Sequence, residues 1–494
     1  MNIAIFTDTY FPDINGVASS IYTMTNGLRA KGHRVFIFSI SEPSKQIKLI
    51  SLNPPVYRIP SLPIAGLKPY RAVLPHYTRL IELIKKLEID IIHTHTEFSM
   101  GLMGSVVAFA IGAPHIHTYH TMLEDYTHYI AGGKLKLEGF ARKYSGVYCD
   151  AMDALIVPTE KVKNAVLSYG AEDVPIHVIP SGINLKPFAP ENYSRQEIDA
   201  IKLAFGIKFT DKVLLSIGRV AHEKSLDVAI KALPNALAKN PNIKLVIIGN
   251  GPALEDLMAL ARELKVYDNV IFAGAVPFAE VGKYYQVGDA FISCSTSETQ
   301  GLTYYEALAA GLPVLARYDD CILETLFDGV NAMLFEKEEE LPSKMLKILE
   351  DDTRNTLSAN ARASVKEFDA ELFADRIEAA YIATYNAHLV SKIDRDQNPA
   401  VKLAHKTRDK INTTMTKTIT GTDKMIVPVV RKSKNISRKI RHGAHDVKDT
   451  ITSKAEAIYS AFSGDETGDE TEVCDLSDTT ADTINATSDV DSSK

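Results

Sequence analysis

Two successive doubly wound α/β domains facing a cleft, followed by a charged tail, are what this sequence predicts, and three observations carry the prediction. Short Ile- and Val-rich runs alternate with amphipathic stretches from the first residues onward, the same alternation restarts after a polar interval, and past about residue 390 large apolar residues become scarce. Apolar runs of strand length, separated by helical segments, are the pattern of buried parallel strands joined by crossover helices. With 494 residues, 45% of them hydrophobic and 24% charged, the chain is long enough for two large cores.

The first Rossmann-like domain is expected over 1–190, with strands in IAIFT (3–7), RVFIFS (34–39), DIIHTHT (90–96), PHIHTYH (114–120), ALIVPT (154–159) and IHVIPSG (176–182). The second, over 191–365, carries KVLLSIGR (212–219), IKLVIIGNG (243–251), VIFAGAV (270–276), AFISCS (290–295), LPVLAR (312–317) and NAMLF (331–335). A closing helix follows over 366–390, with the globular end near Leu389. Residues 391–462 hold 16 Lys and Arg against 7 Asp and Glu, a basic segment of about +9 by that difference. Residues 463–494 reverse the sign with 10 acidic residues and a single Lys, and so polar a composition is expected to be disordered.

Cys149, Cys294, Cys321 and Cys474 lie far apart without metal-ligand spacing, which argues against a disulfide framework or zinc site and fits a reducing, cytoplasmic setting. The N-terminus enters a strand directly, without the basic and small-residue flanks of a signal peptide, and no uncharged apolar run reaches 18 residues.

Ligands of open α/β sheets bind beyond the carboxyl ends of the strands, so the loops there are where chemistry is expected. In SETQGLTYYEALAAG (295–309), Glu298 falls in a strand-to-helix loop and Glu306 in the helix after it, with Gly301 between them and Gly311 and Pro313 to stop the helix. Such a helix N-terminus suits a phosphate, and two carboxylates suit sugar or ribose hydroxyls. A solvated helix acid and an ordinary loop acid fit the spacing equally well. SIGRVAHEKSLD (216–227) sets Arg219 and Lys224 five residues apart after another strand, a fork and a mobile point charge able to neutralise a diphosphate. IIGNGP, through Gly249, adds a turn where backbone can approach a ligand closely.

In the first domain, Asn15-Gly16 precedes an amphipathic helix beginning near Val17, so Gly16 offers a phosphate or sugar close access to backbone N–H groups; the loop is not GxGxxG, which disfavours a dinucleotide site. TYHTMLEDYTHY (118–129) places His120 just past a strand end beside Glu124, Asp125, Tyr126 and His128, where it could bond a sugar hydroxyl or orient an acceptor.

In this order, the Gly16 loop, His120, Arg219 with Lys224, then Glu298 and Glu306 with seven residues between them, Gly301 included, the chain resembles the retaining nucleotide-sugar glycosyltransferases of the GT-B fold, family 4, over roughly 1–390. Within that family, FTDTYFPDINGVASSI and YHTMLEDYTHYI resemble bacterial diacylglycerol glucosyltransferases that make monoglucosyldiacylglycerol. The resemblance implies a UDP-glucose donor, with Arg219 and Lys224 on the diphosphate, Glu306 on the ribose, Glu298 and the amides of Gly301 and Leu302 on the sugar, Gly16 near the phosphate and His120 near the glucose. It implies retention of the α configuration, diacylglycerol as acceptor, no tightly bound cofactor and no buried metal, with phosphate neutralisation by Arg219, Lys224 and the helix dipole instead. His120, Arg219, Lys224 and Glu298 are the candidate catalytic residues.

A lipid acceptor places the chain peripherally on the inner face of the cell membrane. LPIAGLKPYRAVLPHYTRLIELIKKL (62–87) reads as an interfacial helix pair or as an ordinary helix with a basic outer face, and the basic tail suits anionic lipid. Nucleic acid is not expected as a partner, because the tail lacks interleaved aromatics. The alternatives are a GDP-mannose or other nucleotide-sugar transferase acting on a lipid or glycan, a nucleotide-sugar epimerase, and a non-enzymatic nucleotide-sugar sensor.

Overall fold

The computed structural model describes residues 1–12, 15–41, 47–50, 54–63, 71–73, 77–124 and 138–397. Its first sheet is built from β1 (Asn2–Thr7), β2 (Arg34–Ser41), β3 (Lys48–Ile50), β4 (Val56–Pro63), β5 (Arg71–Val73), β6 (Ile91–Thr94), β7 (His115–Thr118), β8 (Ala154–Val157) and β9 (Ile176–Val178). The order is β3-β4-β2-β1-β6-β7-β8-β9, with β5 also on β4. All pairings are parallel except β3 and β5 on β4. The second sheet comprises β10 (Lys212–Ile217), β11 (Ile243–Ile248), β12 (Val270–Gly274), β13 (Ala290–Ser293), β14 (Val314–Arg317) and β15 (Ala332–Phe335). It is wholly parallel, in the order β12-β11-β10-β13-β14-β15.

Each sheet is covered on both faces, which is why its central strands are apolar without alternation. Ile3 to Phe6 of β1 are inaccessible to solvent, their side chains divided between two core clusters. The side on which successive strands are added switches between β1 and β6 in one sheet and between β10 and β13 in the other, both parallel pairs, so the crevices lie where the loops after these strands diverge.

Each of the twelve runs read as strands contains one, but β3, β4 and β5 had no such signal. Lys48–Ile50 is too short to display a period, and in VYRIPSLP two prolines and a charge break the apolar run, although β4 lies inside the sheet between β3 and β2. Within 62–87 the described residues form no helix pair. Arg71–Val73 is a strand, and Tyr77–Lys86 is a helix that buries Leu80 and Ile84 in the core while Arg79, Lys85 and Lys86 face out. The amphipathic spacing is satisfied by the sheet beneath it.

The last helix, Ala370–Gln397, runs past Leu389 and returns to the first domain. Phe373, Ile377 and Tyr381 share a core cluster with Ile3, Ile21 and Met24, and each such fully buried side chain contributes on the order of 2 kcal/mol. Helix Gly16–Ala30 lies close against it, since a Cβ on Gly27 would fall 2.5 Å from that of Ala374. Lys31 ties the end of that contact to Asp375 and Glu378 at 2.6 and 2.9 Å. Among the described residues no helix is long and apolar enough to cross a membrane. The basic and acidic tails expected over 391–462 and 463–494 lie outside the described residues beyond Gln397, as does Cys474.

Candidate active site

On the second-domain side, the loops after β10, β11 and β13 meet. Gly218 and Gly249 have φ of +147° and +142°, and a Cβ on Gly249 would sit 1.8 Å from the Gly218 carbonyl oxygen. The glycine of IIGNGP is thus required first by packing of one loop on the next. Arg219 and Lys224 follow Gly218, Lys224 closing a short 3-10 turn (His222–Lys224) before helix Leu226–Leu237. Arg219 is half exposed and its Nη1 is 3.7 Å from Glu223, while Lys224 Nζ lies 2.6 Å from Glu298 Oε1. Glu223 also holds the neighbouring loop, its carbonyl accepting from Thr296 N and Ser295 Oγ at 3.2 and 3.3 Å. The two sequence motifs of this domain therefore converge directly.

Helix Leu302–Ala309 starts from Gly301, whose φ of +76° places it in the left-handed region. Glycine is required there, since a Cβ would lie 2.3 Å from the Tyr304 ring. The amides of Gly301 and Leu302 stand at the head of this helix, where the backbone dipole favours negative charge. One turn in, Glu306 Oε2 accepts from Tyr285 Oη at 2.6 Å. Withdrawal of this carboxyl from water pushes its pKa up to about 7, against a smaller lowering by the Tyr285 bond. The two glutamates accordingly have different environments: Glu298 is paired with a cation, Glu306 with a neutral hydroxyl.

Across the cleft, helix Gly16–Ala30 is capped by Asn15, whose Oδ1 accepts from Ala18 N at 2.9 Å. A Cβ on Gly16 would lie 3.9 Å from Leu302 Cδ1, so this loop and the head of helix Leu302–Ala309 come from opposite domains to one place. Asp8, just past β1, has its carboxylate bonded by Thr96 Oγ1 at 2.6 Å, Ser99 Oγ at 2.8 Å and Met100 N at 3.2 Å. It caps helix Ser99–Ile111, whose own cap residue Phe98 makes no side-chain bond.

His120 lies just past β7, its Nε2 at 2.9 Å from Nδ1 of His95, which follows β6. His95 in turn packs on His93 with ring centroids 4.0 Å apart, and His93 bonds Tyr381 Oη and Thr118 Oγ1, each at 2.7 Å. Burial foremost, with His117 nearby, pushes the pKa of His120 down to about 3; burial likewise carries His93 and His95 well below the ordinary histidine range. Glu124 is not part of this group: it is buried against Tyr169 and Arg142. Asp125, Tyr126 and His128 lie outside the described residues.

The loop that carries Glu298 is bonded to the first domain at three consecutive residues. Lys161 Nζ reaches the Glu298 carbonyl at 3.5 Å and both Asp319 oxygens at 2.7 and 2.8 Å. Thr299 accepts from Thr159 Oγ1 at 3.1 Å and donates its own hydroxyl to the His120 carbonyl at 2.8 Å. Gln300 exchanges two 2.9 Å bonds with the backbone of Ser181. Sequence reasoning reached neither these residues nor Tyr285 and His95. His95 alone had a usable signal, a histidine just past a strand end like His120; for the others, partners more than a hundred residues away or on a separate helix leave no local trace.

The protein-family models divide the chain as its two sheets do. Glycosyltransferase Family 4 matches residues 14–186 and the Glycosyl transferases group 1 model matches residues 197–364. The chain is 38% identical over 393 residues to an alpha-monoglucosyldiacylglycerol synthase of Acholeplasma laidlawii, covering 77% of this chain and 97% of that one. It is 37% identical over 385 residues to an alpha-monoglucosyldiacylglycerol synthase of Streptococcus pneumoniae, covering 77% and 86%. Among solved structures, Anabaena HepE in complex with UDP and glucose superposes with a TM-score of 0.63 at 17% identity, covering 78% of this chain and 100% of that one. Sucrose-phosphate synthase from Thermosynechococcus elongatus gives 0.62 at 19%, covering 78% and 99%. Two Rossmann-like domains closed on a cleft, and relatives this similar over most of their length, lead to one conclusion: the chain is a hexosyltransferase of the GT-B fold and belongs to glycosyltransferase family 4.

Proposed function

We propose that this enzyme moves glucose from UDP-glucose to diacylglycerol at the membrane surface, with retention, giving α-monoglucosyldiacylglycerol. The observation that carries the reading is the 37% and 38% identity to two synthases so named, spanning 86% and 97% of their lengths. The cleft is suited to it. Arg219 and Lys224 take the diphosphate, and Lys224 exchanges its Glu298 partner for phosphate as the donor enters. Releasing that ion pair frees Glu298 to accept from a sugar hydroxyl, with Gly301 and Leu302 amides beside it. Glu306 accepts from the ribose, Gly16 leaves room for the phosphate, Gly249 keeps the adjoining loop close, and His120 meets the glucose.

UDP leaves with charge, so cations and helix-end amides fixed before reaction stabilise the departing phosphate, the role a metal plays in other transferases. The reaction therefore needs no tightly bound cofactor and no buried metal in this proposal. The acceptor hydroxyl attacks on the face from which UDP departs. Partners are the nucleotide sugar, diacylglycerol and an anionic inner leaflet of the cell membrane, on the cytoplasmic side, with residues 391–462 as the basic contact.

The test is incubation of purified protein with radiolabelled UDP-glucose and lipid mixtures with and without diacylglycerol. Label is expected in an α-linked glucolipid only when diacylglycerol is present; label confined to the aqueous phase, or transfer from GDP-mannose instead, overturns the reading. Vesicle sedimentation of the full chain and of a truncation after Gln397 tests the tail, with weaker binding of the truncated form expected at low salt and the difference vanishing at high salt.

A further inference from the structure

His120 is held from behind by a residue that has one more ring nitrogen than it has partners. Both are neutral imidazoles, because burial keeps them from protonating, so each carries one N–H and one bare nitrogen. The 2.9 Å contact between His95 Nδ1 and His120 Nε2 can be made in only two ways. Either His95 donates and His120 accepts, or the reverse. The choice is decided at the other end of His95, where Nε2 is buried without a hydrogen-bond partner. If His120 donated, His95 Nε2 would bear an orphaned N–H, the kind of buried group that folded proteins tolerate least. If His95 donates, the orphan is only a lone pair.

His93 reinforces donation by His95. Its nitrogens are both engaged, by Tyr381 Oη and Thr118 Oγ1, and its ring packs at 4.0 Å from that of His95, so His95 cannot turn to recruit either one. His120 itself is partly exposed, its carbonyl is fixed by Thr299 of the opposite domain, and its Nδ1 makes no hydrogen bond among the described residues.

We propose that His95 is a positioning residue that fixes His120 as the neutral tautomer protonated at Nδ1, so that His120 meets substrate as a hydrogen-bond donor and cannot take the acceptor's proton. The inference rests on the reading of His120 as a sugar contact and deepens it: a ring presenting N–H binds a hydroxyl or phosphate oxygen and leaves the transferred proton to another base, such as the departing phosphate.

Histidine-selective ¹⁵N NMR of the full chain at neutral pH, with signals assigned by His120→Gln and His95→Gln, reads the tautomers directly. Protonated Nδ1 and bare Nε2 are expected for both residues; His120 protonated at Nε2 overturns the proposal whether or not glucose transfer is found. Activity supplies the second arm. His95→Phe keeps the ring but removes the donor, and is expected to lower turnover at least tenfold with UDP affinity within twofold. His95→Asn, whose amide nitrogen can stand where Nδ1 stood, is expected to recover most of that loss. Equal activity of wild type and His95→Phe, or no recovery in His95→Asn, overturns the positioning role. If the tautomers are as expected but no glucolipid forms, the reading of the reaction fails and the assignment of the histidine pair stands.

Discussion

The two lips of the cleft are built on opposite principles. The second-domain lip presents long cations on glycine-jointed loops, with the Arg219 and Lys224 side chains 50% and 31% exposed and each resting on a glutamate. The first-domain lip is an array of short groups, Asp8, Thr94, His93, His95 and His117, whose hydrogen bonds run to neighbouring strand ends, to the head of helix Ser99–Ile111 and to Tyr381 of the last helix. Exposed charges lose little on changing partner, whereas buried polar groups lose a great deal if left unmatched. One side can therefore exchange partners at little cost, as the proposed function requires, while the other stays as folded. Apart from the His95–His120 contact, whose loss should register in turnover, mutations on the first lip should register as stability, and mutations on the second as activity.

Lys224→Ala gives the largest expected effect. Losing one preorganised donor to the departing phosphate should cost about 2 to 4 kcal/mol of transition-state stabilisation, read from kcat/KM. Unfolding by denaturant should change by less than about 1 kcal/mol, since its partner ion pair is partly solvated. A variant that turns over normally would remove Lys224 from the donor site.

Glu306→Gln tests the one group on the second lip that behaves like the first. Its pKa of about 7 means that the folded chain keeps a proton which the unfolded chain has lost. Its contribution to stability is therefore present in acid and declines as pH rises from the ordinary carboxyl range through about 7. The glutamine variant should be more stable than wild type by about 1 to 3 kcal/mol at pH 8 and nearly equal at pH 4. UDP binding runs the other way. If the carboxylate accepts from ribose, wild-type affinity should rise from pH 6 to 8, whereas the variant should bind about 1 to 2 kcal/mol more weakly at pH 8 and without that rise. Calorimetric titration with UDP at several pH values checks both.

Tyr381→Phe breaks the first lip from behind. Removing the hydroxyl leaves His93 Nδ1 buried and unmatched, which should cost about 1 to 3 kcal/mol of stability in denaturant unfolding. The folded fraction should still turn over near the wild-type rate. A large fall in kcat at unchanged stability would contradict the division between the lips.

Lys161→Met, the smallest expected effect, probes the bridge between the two. Its pair with Asp319 is partly exposed, so roughly 1 kcal/mol is expected in stability. Solution scattering should report a more open ligand-free enzyme if this bond helps to close the cleft; an unchanged profile would assign closure to Thr299 and Gln300.

Much of this was legible in the sequence. Buried parallel strands must be apolar along their whole length, so twelve of them were readable as runs, and their carboxyl ends marked the loops and helix starts on which Gly16, His120, Arg219, Lys224, Glu298 and Glu306 stand. Gly301 was visible as the glycine between the two glutamates, but that its backbone is left-handed and that a Cβ there would strike Tyr304 are findings of the structure. Strands β3 to β5 were not readable, because β3 and β5 are three residues long and the prolines and Arg58 of β4 break its apolar run although it lies between other strands. Nor could the sequence tell that the basic helix Tyr77–Lys86 packs on the sheet, since core and interface ask for the same amphipathic spacing.

What the sequence alone determined was the inventory: two sheets, their loops and the chemical types gathered on them. Only the tertiary structure decided the partners. That Glu298 pairs with Lys224, Glu306 with Tyr285 and His120 with His95 follows from the order in which strands enter each sheet, which brings together residues far apart in the chain. Composition and spacing act along the chain, over a turn of helix or a pair of strand residues. Hydrogen bonds and desolvation act through space, and it is they that set which of these groups is charged, which is neutral, and which nitrogen holds the proton.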